Sequence, residues 1–214
     1  CPKGRFHSTI AGTGHCIHCP AGKYQDVAAS AACKDCTDTA NAASASGSTL
    51  PTDCQCASGF YGQGGTEMCK SCPDSAHQSS PSGSDSVSGC FCTAGYYGPA
   101  GTSSCTACGA GKFKATDGQT TDTCDLCAAG KWSSSTGQTD SNTCIACDAG
   151  KFKALTGQTA AADCDNCAAG TFKGDTGQDE ASDCTACPAA STSSAGSVAS
   201  TDCSCPVGYS GPSG

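Results

Sequence analysis

Apolar side chains in this chain do not gather into long runs. They recur singly, one aromatic per stretch, set between glycines and cysteines. From Cys108 to Cys187 the pattern is plainest. Phe113, Trp132, Phe152 and Phe172 follow one another at intervals of 19 or 20 residues, each behind an Ala-Gly pair and a Lys or Thr. A lone aromatic between polar neighbours predicts a strand of about three or four residues. The Gly-Gln and Gly-Ser pairs at Gly47, Gly118, Gly137, Gly157, Gly177 and Gly196 predict turns that need positive φ. No window carries helical periodicity over the roughly 12 residues a helix would need. No apolar run approaches the ~20 residues of a membrane span.

The same stretch is a repeat. Four copies of one unit run from Cys108 to Cys187, each with a Cys, an Ala-Gly pair, an aromatic, a Gly-Gln pair and a closing C-x2-C. A fixed short period is the signature of a repeat architecture in which each unit contacts mainly its neighbours. Residues 19–36 hold a unit of this type, with CPAGKY from Cys19 to Tyr24, and residues 1–36 form the first cysteine-rich section. Residues 36–108 hold two copies of a longer, 36-residue unit containing a C-x-C pair and a G-[FY]-Y-G run. Residues 187–214 start a further unit of the longer type. The Ser/Thr/Ala/Gly-rich stretches 40–50, 78–89 and 189–201 have linker composition, but their regular cysteine spacing assigns them as loops of the longer unit.

Composition changes this picture in one respect. Cysteine makes up 23 of 214 residues, while Leu, Ile, Val and Phe together number 16, too few for an ordinary core. Disulfides must therefore offset the chain entropy that burial cannot. Cysteines at this density imply an oxidising compartment, so the chain is expected to be extracellular, secreted or at the cell surface. The simplest pairing joins each Cys to the next. It gives Cys1–Cys16, Cys19–Cys33, Cys36–Cys54, Cys56–Cys69, Cys72–Cys90 and Cys92–Cys105, then Cys108–Cys124, Cys127–Cys144, Cys147–Cys164, Cys167–Cys184 and Cys187–Cys203. Each such loop encloses 12 to 17 residues and is worth about 3 kcal/mol in the chain-entropy model. Longer-range connectivities remain open on sequence alone. Cys205 is left over. Its segment aligns on Cys56 and Cys92, with Gly208, Gly211 and Gly214 on the glycines of the earlier copies, so its partner is expected about four positions after Gly214. A free thiol or an intermolecular bridge is the alternative.

Candidate chemistry is thin. The spacing Cys124/Cys127/Cys144/Cys147 fits a four-cysteine zinc site, but it would strand the C-x-C pairs Cys54/Cys56, Cys90/Cys92 and Cys203/Cys205. Asp stands directly before Cys at 53, 163, 183 and 202. Calcium ligation is one reading, yet no EF-hand loop is present and hydrogen bonding in turns fits better. The aromatics are expected to pack over disulfides. His7, His15, His18 and His77 show no catalytic partner pattern, and no nucleophile motif appears, so the chain does not read as an enzyme. No cofactor is implied. A net charge of −8 without a Lys/Arg cluster argues against nucleic acid. No N-x-S/T sequon occurs, while Ser/Thr-rich stretches leave O-glycans as a possible decoration.

The motif C-x2-C-[PAD]-A-G-[KT]-[FYW]…G-Q…C-x2-C, at 19–36 and 108–187, resembles the ephrin-receptor-like cysteine-rich repeats, which are similar to the modules of tumour necrosis factor receptors. The run C-x2-G-[FY]-[YS]-G at Cys56, Cys92 and Cys205 resembles the end of an EGF-like module without its acidic calcium signature. The resemblance implies a small disulfide-rich repeat fold: an elongated rod of short strands and loops with little or no helix. Long Ala/Ser/Thr/Gly-rich arrays of this kind look like those in secreted proteins of algae and other protists, including subunits of flagellar hairs (mastigonemes). The function so implied is structural, with other copies of the chain or other filament subunits as partners. A receptor-like or adhesive ectodomain is the alternative; it would carry an apolar patch in one or two units that breaks the repeat.

Overall fold

A computed structural model describes residues 1–10, 13–206 and 208. The glycine pattern at Gly211 and Gly214, and residues 11 and 12 of the first loop, lie outside the described residues. The chain forms two compact units. One holds residues 1–106 and 117–121, the other 107–116 and 122–214.

Both units are built from one kind of loop. Eleven disulfides each join a Cys to the next Cys in sequence, with Cα–Cα distances of 5.2 to 5.9 Å. Inside a loop, the aromatic and the residue before it form a two-residue strand. Its antiparallel partner is the pair of residues between the cysteines of the closing C-x2-C. Lys112–Phe113 pairs with Asp125–Leu126, Lys131–Trp132 with Ile145–Ala146, and Lys151–Phe152 with Asp165–Asn166. The C-x2-C spacing is thus the width of one strand pair. Where only one residue separates the cysteines, the second Cys joins the strand: Gln55–Cys56 pairs with Ala42–Ala43, and Phe91–Cys92 with Gln78–Ser79. The strands are two residues long, shorter than expected; a turn glycine stands before each aromatic strand from Lys112–Phe113 to Thr171–Phe172, and the next loop takes over the hydrogen bonds that follow it. The exception is the N-terminal hairpin, Arg5–Ile10 against Thr13–His18. Helix among the described residues is confined to three-residue 3-10 turns, such as Pro51–Asp53 and Ser141–Thr143.

The step from one loop to the next is carried by backbone. In the step from loop 108–124 to loop 127–144, the Gly111 N–H donates to the Ser133 carbonyl (2.8 Å). The Lys114 N–H donates to Gln138 (2.9 Å), and the Gly137 N–H donates back to Cys108 (2.8 Å). The next step repeats this with Gly130 to Lys153, Ser133 to Gln158 and Gly157 to Cys127 (2.8, 3.0 and 2.8 Å). The same three bonds join loop 56–69 to loop 72–90, through Gly59 to Ser80, Gly62 to Ser84 and Gly83 to Cys56. So the G-[FY]-Y-G segments occupy the same place in the step as the A-G-K-F segments. The two unit types read from sequence share one loop geometry.

Contacts also reach beyond the nearest neighbour, in addition to the neighbour steps. A Cβ on Gly130 would collide with the carbonyl of Gly177, two loops on, and one on Gly150 with the carbonyl of Gly196. Both glycines also sit at positive φ, 74° and 76°. Gly111, Gly130 and Gly150 are therefore required twice: for their backbone conformation and for the close approach of a second backbone.

The core is mostly sulfur. Buried cystine halves outnumber every other buried side chain, and the largest fully buried side chains other than Cys are Gln25 and Asp38. Gln25 is satisfied there: its amide nitrogen donates to the Ser30 hydroxyl and the Ala32 carbonyl, and its oxygen accepts from the Val27 N–H. The serine-rich stretches are ordered loops with buried hydroxyls. Ser44 donates to the Lys23 carbonyl, Ser80 to Phe60 and Ser193 to Thr171, at 2.7 to 3.0 Å.

Candidate functional site

The cysteines that fit zinc spacing are occupied by sulfur partners. Cys124 bonds to Cys108, Cys127 to Cys144, and Cys147 to Cys164, so none of the four offers a thiolate. Cys205 carries a free, half-buried thiol. The histidines do not converge. His7, His15 and His18 lie along the N-terminal hairpin, with His18 Nε2 2.6 Å from an Arg5 guanidinium nitrogen. His77 contacts the Asp74 carboxylate at 3.2 Å and stacks on Tyr96 with ring centroids 4.1 Å apart.

The acids before cysteine organise turns. Asp53 Oδ2 accepts the N–H groups of Thr49 and Leu50. Asp163 does the same for Thr159 and Ala160, Asp183 for Asp179 and Glu180, and Asp202 for Val198 and Ala199. These bonds hold the Asp163 and Asp202 carboxyls below the usual carboxylate range. Each of these four acids shapes the 3-10 turn in front of a disulfide.

Two further acids were missed from sequence. Asp38, 1% exposed, accepts from the N–H groups of Ala40 and Asn41, from the Asn41 amide, and from the N–H of Cys69, 31 residues away. Asp74 stands 36 residues later and binds the N–H of Cys105 (3.0 Å) and His77. Each carboxylate ties the first loop of a long unit to its second loop. Burial opposes ionisation of Asp38, but its hydrogen bonds outweigh that, and its pKa lies below the ordinary value. Asp74 is lowered chiefly by the Cys105 N–H, against burial, with help from His77. The available signal was the shared C-x-D at Cys36 and Cys72, absent at Cys187, where Ala189 stands instead.

The T-G-Q signature is also local chemistry. The Gln138 side chain donates to the Thr136 carbonyl across Gly137, and Gln158 and Gln178 do the same to Thr156 and Thr176, at 3.0 to 3.2 Å. Where Ser replaces Gln, its hydroxyl closes the turn instead: Ser48 to Ala45, Ser84 to Pro81, Ser197 to Ser194.

On the surface, Lys and Asp pair across or beside the strands: Lys23 with Asp35 (2.7 Å), Lys34 with Asp26 (2.7 Å), Lys112 with Asp122 (3.0 Å) and Lys153 with Asp165 (3.2 Å). The aromatics are half-buried. Tyr24 lies against the cluster of Cys36, Ala42 and Cys54 in the following loop. Exposed apolar side chains occur in several loops, Leu126 and Leu155 among them, but one strand pair differs in what stands opposite its aromatic. Trp132 faces Ile145 across the strand pair, and Ile145 is 52% exposed, where neighbouring loops place Asp125, Asp165 or Thr185 opposite the aromatic.

Eleven disulfides, short antiparallel strand pairs and one repeated loop define a small disulfide-rich repeat protein. Residues 4–54 match a family model described as tyrosine-protein kinase ephrin type A/B receptor-like. No curated protein matches the chain. The many disulfides, together with this match over residues 4–54, fit an extracellular protein. No helix among the described residues is long and apolar enough to cross a membrane.

Proposed function

We propose that this chain is a building segment of an extracellular structural assembly, a disulfide-stapled rod in a filament, flagellar hair or surface matrix. The observation that carries this reading is the recurrence of the same three backbone hydrogen bonds at successive steps. A geometry that uses backbone rather than particular side chains can be extended by adding loops, which is what a spacer or filament needs. Cystine in place of an apolar core suits an oxidising exterior, where the bridges persist. Other copies of the chain or other subunits are the partners in this reading, with O-glycans on the Ser/Thr-rich loops.

A second reading, a receptor-like or adhesive ectodomain, is favoured by Trp132 and Ile145. They form an apolar pair in a loop whose neighbours carry polar residues opposite the aromatic. Electron microscopy of the native material, with intact mass before and after deglycosylation, separates the two. Regular filaments with this chain at a repeating position are expected. Isolated molecules that never associate would defeat the filament reading and favour the ectodomain.

A further inference from the structure

We infer that the first of the two long units carries a binding groove for a neutral saccharide, with Gln55 at its centre. Two cavities of about 240 and 470 Å³ meet at Thr52 and Gln55. The smaller is completed by Gln63, Thr66 and Asp85, the larger by Ala43, Ala45, Ser82 and Asp53. Both are open to solvent, and the Thr52 and Gln55 side chains are exposed where they meet. The walls are preorganised. Cys54 is fixed by its bridge to Cys36, and Gly65 packs so closely on the Pro51 carbonyl that no side chain fits there.

The lining selects the ligand class. It contains hydroxyls, amides and carboxylates but no Lys, Arg or His, so nothing in it attracts an anion. Asp53 is committed to the N–H groups of Thr49 and Leu50, which argues against a cation cage. The exposed Gln55 amide and Thr52 hydroxyl make no protein hydrogen bond among the described residues, line both cavities, and are free to exchange solvent for a ligand hydroxyl. Donors and acceptors side by side, above the small apolar faces of Ala43 and Ala45, match a polyhydroxylated ring with a C–H face.

The second long unit supplies an internal control. Thirty-six residues on, Phe91 replaces Gln55, Gly89 replaces Asp53 and Pro99 replaces Gln63. Phe91 lies against the turn glycine Gly118, just as Gln55 lies against Gly83. The same frame therefore exists twice; the hydroxyls of Thr52 and Thr66 persist as Ser88 and Thr102, while the Gln55 and Gln63 amides and the Asp53 carboxylate are present only in the first copy. The groove does not depend on filament assembly.

Saturation-transfer NMR of the full chain with cellobiose, N,N′-diacetylchitobiose and methyl α-mannoside tests the inference. At least one probe should receive saturation at its ring C–H protons. Gln55→Phe, which installs the side chain already present in the sister loop, should weaken that binding about tenfold or more, the loss of one or two hydrogen bonds. An unchanged disulfide map and unfolding midpoint would show that the variant folds. Thr52→Ala should weaken binding less. No saturation transfer to any of the three sugars, or equal binding by wild type and Gln55→Phe, overturns the site.

Discussion

Loops 127–184 and loops 36–105 make the same step in different ways. In the first region, nearly identical sequences repeat T-G-Q, C-x2-C and an aromatic, and the joins consist of backbone hydrogen bonds with glycine at the points of close approach. In the second, the cysteine spacing alternates, the aromatic position of loop 36–54 is taken by Ala42 and Ala43, and the carboxylates of buried Asp38 and half-buried Asp74 tie paired loops together. A backbone-driven step tolerates wide variation in side chains as long as a few glycines and the cysteine register persist. Where the register changes, a charged group has taken over part of the joining.

That comparison can be broken at its glycines. Gly130→Ala forces an L side chain into left-handed backbone and against the Gly177 carbonyl, and should cost about 3 kcal/mol, read as a lower denaturant midpoint of the second unit. Gly22→Ala is the control. Its φ is also positive (81°), but a Cβ there meets nothing within 4 Å, so only the conformational cost of about 1 kcal/mol is expected. Equal losses at the two sites would dismiss the two-loop contact.

The carboxylate joints can be tested by acid. The Asp38 and Asp74 pKa values are lowered in the folded chain, so the stability they contribute is fully present above the unfolded value of about 3.9. It is lost as the pH falls through their depressed folded values. Thermal midpoints of the first unit should be level above about pH 5 and fall below it. Asp74→Asn should lower the midpoint at neutral pH and flatten this acid dependence. A variant as acid-sensitive as wild type would remove Asp74 from the account.

Two alanines stand where other loops have glycine. Ala29, at φ 57°, donates its N–H to Cys1 as the turn glycines do, and Ala190, at φ 64°, occupies the Ala-Gly glycine position. Ala29→Gly and Ala190→Gly should each stabilise by about 0.5–1 kcal/mol, relief of left-handed strain less the added freedom of the unfolded chain. The smallest effect is expected at the T-G-Q turn. Gln138→Ala removes one exposed side-chain bond and should cost about 0.5 kcal/mol, measurable as a small midpoint shift.

Much of the loop plan was legible because it follows from spacing. The glycines read as turns, from Gly47 to Gly196, all have positive φ, and the strands fall on the aromatics. The acids before cysteine behave as turn acceptors, since a carboxylate in that position reaches the N–H groups behind it. What stayed hidden depends on residues far apart in sequence. Asp38 meets Cys69 across 31 residues, and Gly130 meets Gly177 across 47, so no local pattern announces either contact. The equivalence of G-F-Y-G and A-G-K-F was also concealed, because the shared element is a backbone course and the side chains differ. The six-residue N-terminal strands likewise exceed the three or four residues that a lone aromatic between polar neighbours predicts.

The consecutive disulfides have a mechanical consequence. A pull along the chain travels through each cystine and across the one or two residues that separate it from the next. The residues enclosed by each loop are bypassed and bear no tension. Even with every hydrogen bond broken, such a chain would lengthen by only a small fraction of its contour, because about 3.5 Å per residue is available only outside the bridges. The molecule is a tether with its slack sewn in, and a reductant would let that slack out one loop at a time.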